Sequence, residues 1–244
     1  MGKPKPKPKR RVADEPTAAI ELKIIGGKHR GRKLTYEPFR RGEGEATVTR
    51  PMKHRVRESI FNLVGVGAEG RHAIDLFAGT GALGLEALSR GSVHATFIER
   101  HVPTARVVEE NIKGLGVEEQ STLLMTSAFL WGKRNLVKGE TEWWRADGVN
   151  AADAVGVAPP PPAAVPWLVF CSPPYDFFVD RQEETLGLIA AVMEHCPPDS
   201  IVVTESDERF DATLLPDGEQ YQGVKPWDVR TYSPAVVGIW QKRV

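Results

Sequence analysis

The chain has 244 residues, 41% of them hydrophobic, which suffices for one sizeable core and leaves no apolar run near the roughly 20 residues of a membrane span or a secretory leader. Its two cysteines, Cys171 and Cys196, cannot make a disulfide framework, so a reducing cytoplasm is the expected compartment. The net charge is zero, but residues 1–60 carry 17 Lys and Arg against 7 Asp and Glu while the remainder carries 15 against 25; a basic leader on an acidic body points to a polyanion held at one end.

Residues 1–19 open on alternating Lys and Pro and are expected to be an extended, disordered basic tail. Residues 20–66 form the next unit. Ile20, Leu22 and Ile24 alternate, Gly26-Gly27 turns the chain, and Arg32 to Tyr36 returns as a second strand. The hairpin loop presents Lys28, His29, Arg30, Arg32 and Lys33. Pro51 suits a first helical position, and Met52, Val56, Ile60, Phe61 and Leu63 give the following helix an apolar stripe. Arg50, Lys53, Arg55 and Arg57 are read onto its other faces.

From about residue 67 the chain reads as one α/β domain. Short apolar strands are expected at His72–Phe77, Ala95–Ile98, Thr122–Met125, Trp167–Cys171 and Ile201–Thr204. Helices are expected at Ala82–Ser89, Pro103–Leu115 and Arg181–His195. That rhythm belongs to an open, doubly wound parallel sheet. Val229–Tyr232 and Val236–Gln241, joined at Ser233-Pro234, read as a terminal hairpin that adds an antiparallel strand. Residues 138–166, with four consecutive prolines, read as an inserted loop.

Two motifs carry chemistry. In the first, Ala73 to Gly84 runs A-I-D-L-F-A-G-T-G-A-L-G, an apolar strand entering a glycine turn and then a helix. Gly79 and Gly81 let the backbone approach a ligand, and ligands of open α/β sheets lie beyond the strands' carboxyl ends. Gly79 to Gly84 also satisfies G-x-G-x-x-G, with Glu99 ending the next strand, so the local pattern admits a nicotinamide dinucleotide as well as S-adenosylmethionine. Asp75 ahead of the glycines, able to reach a cationic amino group, favours the second.

In the other motif, Val169 to Tyr175 sets S-P-P-Y directly after an apolar strand. Two prolines make a rigid turn. An exocyclic base amine is a poor nucleophile because its lone pair is delocalised. Oxygen acceptors on its N–H groups, here the Ser172 side chain and the Pro173 carbonyl, favour a tetrahedral nitrogen. Pro174 fixes the turn, and Tyr175 can stack on the base.

I-I-G-G-K-H-R-G-R-K-L, T-R-P-M-K-H-R-V-R-E-S-I-F-N, D-L-F-A-G-T-G-A-L-G-L-E-A-L-S-R-G and F-I-E-R together resemble the bacterial RsmD-like methyltransferases that modify guanine 966 N2 of 16S rRNA. The resemblance covers roughly residues 22–130, the S-P-P-Y region and the last two strands. It implies a Rossmann-like, seven-stranded class I methyltransferase sheet, S-adenosylmethionine as donor, and 16S rRNA in an assembling 30S subunit as substrate; a monomer without metal or membrane is expected. It assigns Asp75, Phe77, Ala78, Gly79, Thr80, Gly81, Glu99, Arg100, Ser127 and Ala128 to the cofactor. It sets the basic segments Gly26–Lys33 and Arg50–Arg57 to meet RNA or close over the site.

Two positions depart from that pattern. Ser172 stands where the family has Asp or Asn, and Ser127-Ala128 where an acid is expected near the adenine. Two other readings therefore stay open: methylation of another amine, cytosine N4 or adenine N6, and a non-catalytic RNA-binding assembly factor.

Overall fold

The computed structural model describes residues 22–36, 52, 54–136, 164–216 and 226–243. The Lys/Pro tail, Pro51, Arg50, Lys53 and all but the last residues of the Pro-rich insertion lie outside that set. The elements in chain order are α1 (His54–Val64), β1 (His72–Asp75), α2 (Ala82–Ser89), β2 (His94–Ile98), α3 (Val102–Leu115), β3 (Ser121–Leu124) and α4 (Ala128–Asn135). There follow β4 (Trp167–Cys171), α5 (Phe177–Asp180), α6 (Gln182–His195), β5 (Ile201–Asp207), β6 (Asp228–Tyr232) and β7 (Ala235–Gln241).

The seven strands form one sheet in the order β3-β2-β1-β4-β5-β7-β6. The first five are parallel, β7 runs antiparallel to β5, and β6 closes the edge antiparallel to β7. Each strand alternates its side chains between two faces, and helices cover both. Ala73, Leu168, Phe170, Val203 and Val237 face α1, α2 and α3 in one apolar cluster. Ile74, Val169, Cys171, Val202 and Trp240 face α4 and α6 in the other. Burial on both faces explains why the parallel strands read as continuous apolar runs. The architecture is the Rossmann-like, seven-stranded α/β sheet expected. Cys171 and Cys196 are both free and buried.

The N-terminal segment is built into this core. Leu22, Ile24, Leu34, Val56, Ile60 and Phe61 belong to the same apolar cluster as β1 and β4. Among the described residues the hairpin ladder is one bridge, Lys23 to Lys33, flanked by Ile24 N to Arg32 O at 2.9 Å and Leu34 N to Leu22 O at 2.8 Å.

Three glycines shape the β1–α2 turn differently. Gly79 and Gly81 have φ of 54° and 77°, where a Cβ is costly. A Cβ on Gly84 would stand 2.4 Å from a ring carbon of buried Phe97 on β2, so this glycine serves helix-to-sheet contact. Gly84→Ala is expected to cost about 1–3 kcal/mol by overpacking. Thermal unfolding checks this: an unchanged midpoint would mean that Phe97 swings aside freely.

Candidate active site at the carboxyl edge of the sheet

Parallel register aligns the strand ends. Asp75 on β1 stands opposite Phe97 on β2 and Phe170 on β4, so the turns after these strands leave one edge together. Asp75 is fully buried; its Oδ2 accepts from Gly84 N at 3.2 Å, while Oδ1 has no hydrogen-bond partner. Burial pushes its carboxyl up to about 7, helped by the nearby Glu99 and opposed by backbone bonds from Gly84 and Phe77. Glu99, just past β2, accepts from Gly79 N at 3.0 Å and His101 N at 2.8 Å. Burial raises its carboxyl too, against those two bonds.

A pocket opens beside these residues. Phe77, Glu99, Arg100, Ser127 and Ala128, all named from sequence, line it. Ala78, Gly79, Thr80 and Gly81 form the adjoining turn, with Ala78 N bonded to Ile98 O at 3.0 Å. Sequence reading missed Phe129, Phe177 and Arg181, which also line the pocket. The rings of Phe77, Phe129 and Phe177 lie 5.7–6.1 Å apart, and the Arg181 guanidinium sits 4.2 Å from the Phe129 ring centroid. An aromatic-walled slot with a carboxylate at its rim suits a flat heterocycle on a diol-bearing sugar. The unpartnered Asp75 oxygen, buried beside the glycine turn, suits a cation.

Next to this slot, the S-P-P-Y turn continues β4. Leu76 N bonds Phe170 O at 3.0 Å, tying the two motif-bearing strands together at their ends. Pro173 is buried and Pro174 exposed. The Ser172 hydroxyl donates to Glu205 Oε2, and the Tyr175 hydroxyl donates to Glu205 Oε1 at 2.7 Å. Glu205 lies on β5 and is buried. Ser172 thus enters the site with its proton already committed, leaving its lone pairs as acceptors.

Residues 22–142 match the family model described as "Conserved hypothetical protein 95". That match takes in 121 of the 244 residues and marks a likeness to the family. Among relatives, "Ribosomal RNA small subunit methyltransferase D" of Escherichia coli (strain K12) is 41% identical over 95 residues, covering 39% of this chain and 44% of its own. The protein of the same name from Haemophilus influenzae is 35% identical over 115 residues, covering 47% and 56%. The chain therefore spans about half the length of the curated relatives it matches. A solved structure titled "Putative methyltransferase yhhF from Escherichia coli" superposes with a TM-score of 0.59 over 91% of this chain and 98% of that one, at 23% identity, a likeness of fold.

Of the two basic segments, Gly26–Lys33 lies wholly among the described residues, whereas Arg50 and Lys53 of the second lie outside them. The Gly26–Lys33 loop docks where strands begin: Lys28 N bonds Ser89 O at 2.8 Å, Arg32 Nη2 reaches Gly114 O at 2.6 Å, and Lys28 Nζ reaches Gln120 Oε1 at 3.2 Å. Ser89 ends α2, Gly114 lies in the last turn of α3, and Gln120 precedes β3. Lys28, Arg30, Arg32 and Lys33 are exposed there, across the sheet from the glycine turn, so this loop does not close over the site. Arg55, near the start of α1, is exposed.

Arg57 corrects the sequence reading. It is fully buried and donates to Lys23 O, so it is a core residue and not an RNA contact. Its position could have been seen: Arg57, Ile60, Phe61 and Val64 fall at i, i+3, i+4 and i+7, one helix face. Glu205 also had a signal, as an acid ending the apolar run I-V-V-T of β5. Asn111 had none. From α3 its Nδ2 donates to Thr80 O at 2.9 Å and Thr35 O at 3.0 Å, joining the glycine turn to the leader. Among the described residues no three metal-ligating side chains gather, and no helix is long and apolar enough to cross a membrane.

Proposed function

We propose that the protein is an S-adenosylmethionine-dependent methyltransferase that acts on the exocyclic N2 amine of a guanine in 16S rRNA, within an assembling 30S subunit. The observation that carries this reading is the adjacency of two turns. Asp75–Gly81 and Ser172–Tyr175 leave neighbouring parallel strands at the same edge. In the donor's binding, Asp75 takes the ammonium, Glu99 the ribose hydroxyls, and the pocket formed with Phe77, Arg100, Ser127 and Ala128 the adenine. When bound, the donor supplies an electrophilic methyl carbon on a sulfonium.

The chain's own residues act on the amine. Ser172 Oγ and the Pro173 carbonyl accept its N–H groups and favour a tetrahedral nitrogen. Tyr175 flanks the base, and the rigid Pro173-Pro174 turn holds these groups in place before substrate arrives. Catalysis is then alignment and preorganised dipoles rather than a strong base in contact with substrate. A target inside a helix has to be flipped out. Lys28, Arg30, Arg32 and Lys33, exposed where the strands begin, together with Arg50, Lys53 and Arg55, supply phosphate contacts to a structured RNA. The names of the curated relatives support rRNA as the substrate class. Ser172, in place of Asp or Asn, favours a second reading in which the amine is cytosine N4 or adenine N6.

The test is transfer of labelled methyl groups to 30S particles from a strain lacking the endogenous enzyme, followed by nucleoside analysis. N2-methylguanosine is the expected product. Label on cytosine N4 or adenine N6 selects the second reading, and RNA binding without any transfer overturns both.

A further inference from the structure

We propose that Glu205 is the positioning residue and final proton acceptor of the S-P-P-Y site, drawing the amine's surplus proton through Ser172. This rests on the proposed amine alkylation. Glu205 sits on β5, next in the sheet to the β4 strand that leads into Ser172, with Thr204 opposite Cys171 in register. It is 4% exposed, and both its oxygens are occupied by hydroxyl donors from the motif. A buried carboxylate on the neighbouring strand, bonded to the first and last residues of a four-residue turn, is placed to set the direction of both hydroxyls.

That direction matters for Ser172. A free hydroxyl can donate or accept. Donating to Glu205 Oε2 fixes its lone pairs toward other donors, which is what an amine N–H requires. The same contact also gives the proton a route. Once alkylated, the amine nitrogen has four bonds and a positive charge. Its N–H proton passes to Ser172 Oγ while the Ser172 O–H proton passes to Glu205 Oε2. The electrons of the broken N–H bond remain on nitrogen as its lone pair. Nitrogen and Ser172 end neutral, and Glu205 ends as a carboxylic acid that re-ionises when the site opens to water. Burial raises the Glu205 carboxyl above its ordinary range, against the two hydroxyl bonds, which makes it a better proton acceptor than a solvated glutamate. The carboxylate that Ser172 lacks is thereby supplied one side chain further back.

Glu205→Gln keeps the shape and removes the charge. It is expected to lower kcat by at least about 100-fold, in the range of acid–base effects, with the KM for RNA and the calorimetric affinity for S-adenosylmethionine unchanged. Ser172→Ala, which cuts the relay in the middle, is expected to act alike. The double variant Ser172→Asp/Glu205→Gln restores a carboxylate beside the amine and should recover at least tenfold over Glu205→Gln alone. Ser172→Asp alone sets two carboxylates together and should not match the parent. A readout independent of turnover is the isotope-edited infrared difference between the parent and Glu205→Gln, which should show an ionised carboxylate at neutral pH. A neutral acid in that spectrum, parental kcat in either single variant, or no recovery in the double variant overturns the role given to Glu205. A parent protein that methylates no amine overturns the underlying reading, and this role with it.

Discussion

Asp75→Asn is expected to weaken S-adenosylmethionine binding about 10- to 100-fold while stabilising the ligand-free protein above pH 7. Both effects come from one buried carboxylate. With its pKa at about 7 against an ordinary 3.8, folded Asp75 keeps a proton that the unfolded chain has released. Between those values the native state binds more protons, so stability falls as pH rises from about 4 to about 7 and is level beyond. The whole penalty is of order 4 kcal/mol at about 1.4 kcal/mol per unit. Asn carries no charge and escapes it, so the variant should gain most above pH 7 and little at pH 4.

Ligand binding reverses the sign. A cation beside the unpartnered Oδ1 favours the ionised carboxylate, so binding below pH 7 releases a proton, and affinity should rise about tenfold per pH unit until it levels. A charge-assisted hydrogen bond of about 1.5–3 kcal/mol sets the loss in Asn. Calorimetry across pH 5–8, in buffers of different ionisation enthalpy, reads the released proton directly. Any slope that survives in Asp75→Asn belongs to Glu99, whose carboxyl is also raised by burial. Equal affinity in both proteins would remove Asp75 from the cofactor site.

Much of this site was legible because its residues stand at strand ends, and strands buried on both faces announce themselves. Trp167–Cys171 and Ala82–Ser89 have the bounds the sequence reading gave them. Helices α4 and α5 were not seen. They have eight and four residues, and neither first turn is closed by a side-chain cap. What one sequence could not show was pairing across the fold. Ser172 and Glu205 are 33 positions apart and meet only because β4 and β5 are neighbours. The basic loop was legible as basic, but its place at the far end of the sheet follows from its docking on the carboxyl ends of α2 and α3. A charged residue on a helix reads as solvent-facing by default, and Arg57 defeats that default because a backbone carbonyl and Glu86 accompany it into the core.

Glu86 itself gives the largest expected loss of stability. It is fully buried near the end of α2 and accepts from Ile25 N at 2.7 Å, Gly26 N at 2.8 Å and Arg90 Nε at 2.8 Å. Its charge also supports the ionised state of Arg57, which burial disfavours. Glu86→Ala leaves two backbone N–H groups and the part-buried Arg90 guanidinium without their acceptor, and the buried Arg57 without a compensating charge, a change worth about 3–5 kcal/mol. The expected fall in unfolding midpoint is on the order of 10 °C. Glu86→Gln, which keeps one acceptor oxygen, should fall between. The damage should begin locally: amide exchange at Ile25, Gly26 and Lys28 should quicken before the sheet opens. It should also reach the cofactor turn, because Asn111 holds Thr35 of the leader and Thr80 of the turn with one side chain. Weaker S-adenosylmethionine binding in Glu86→Ala, with Asp75 and Glu99 untouched, would mark the leader as a brace of the site. Undiminished binding, with the leader's amides already exchanging freely, would confine Glu86 to anchoring the hairpin.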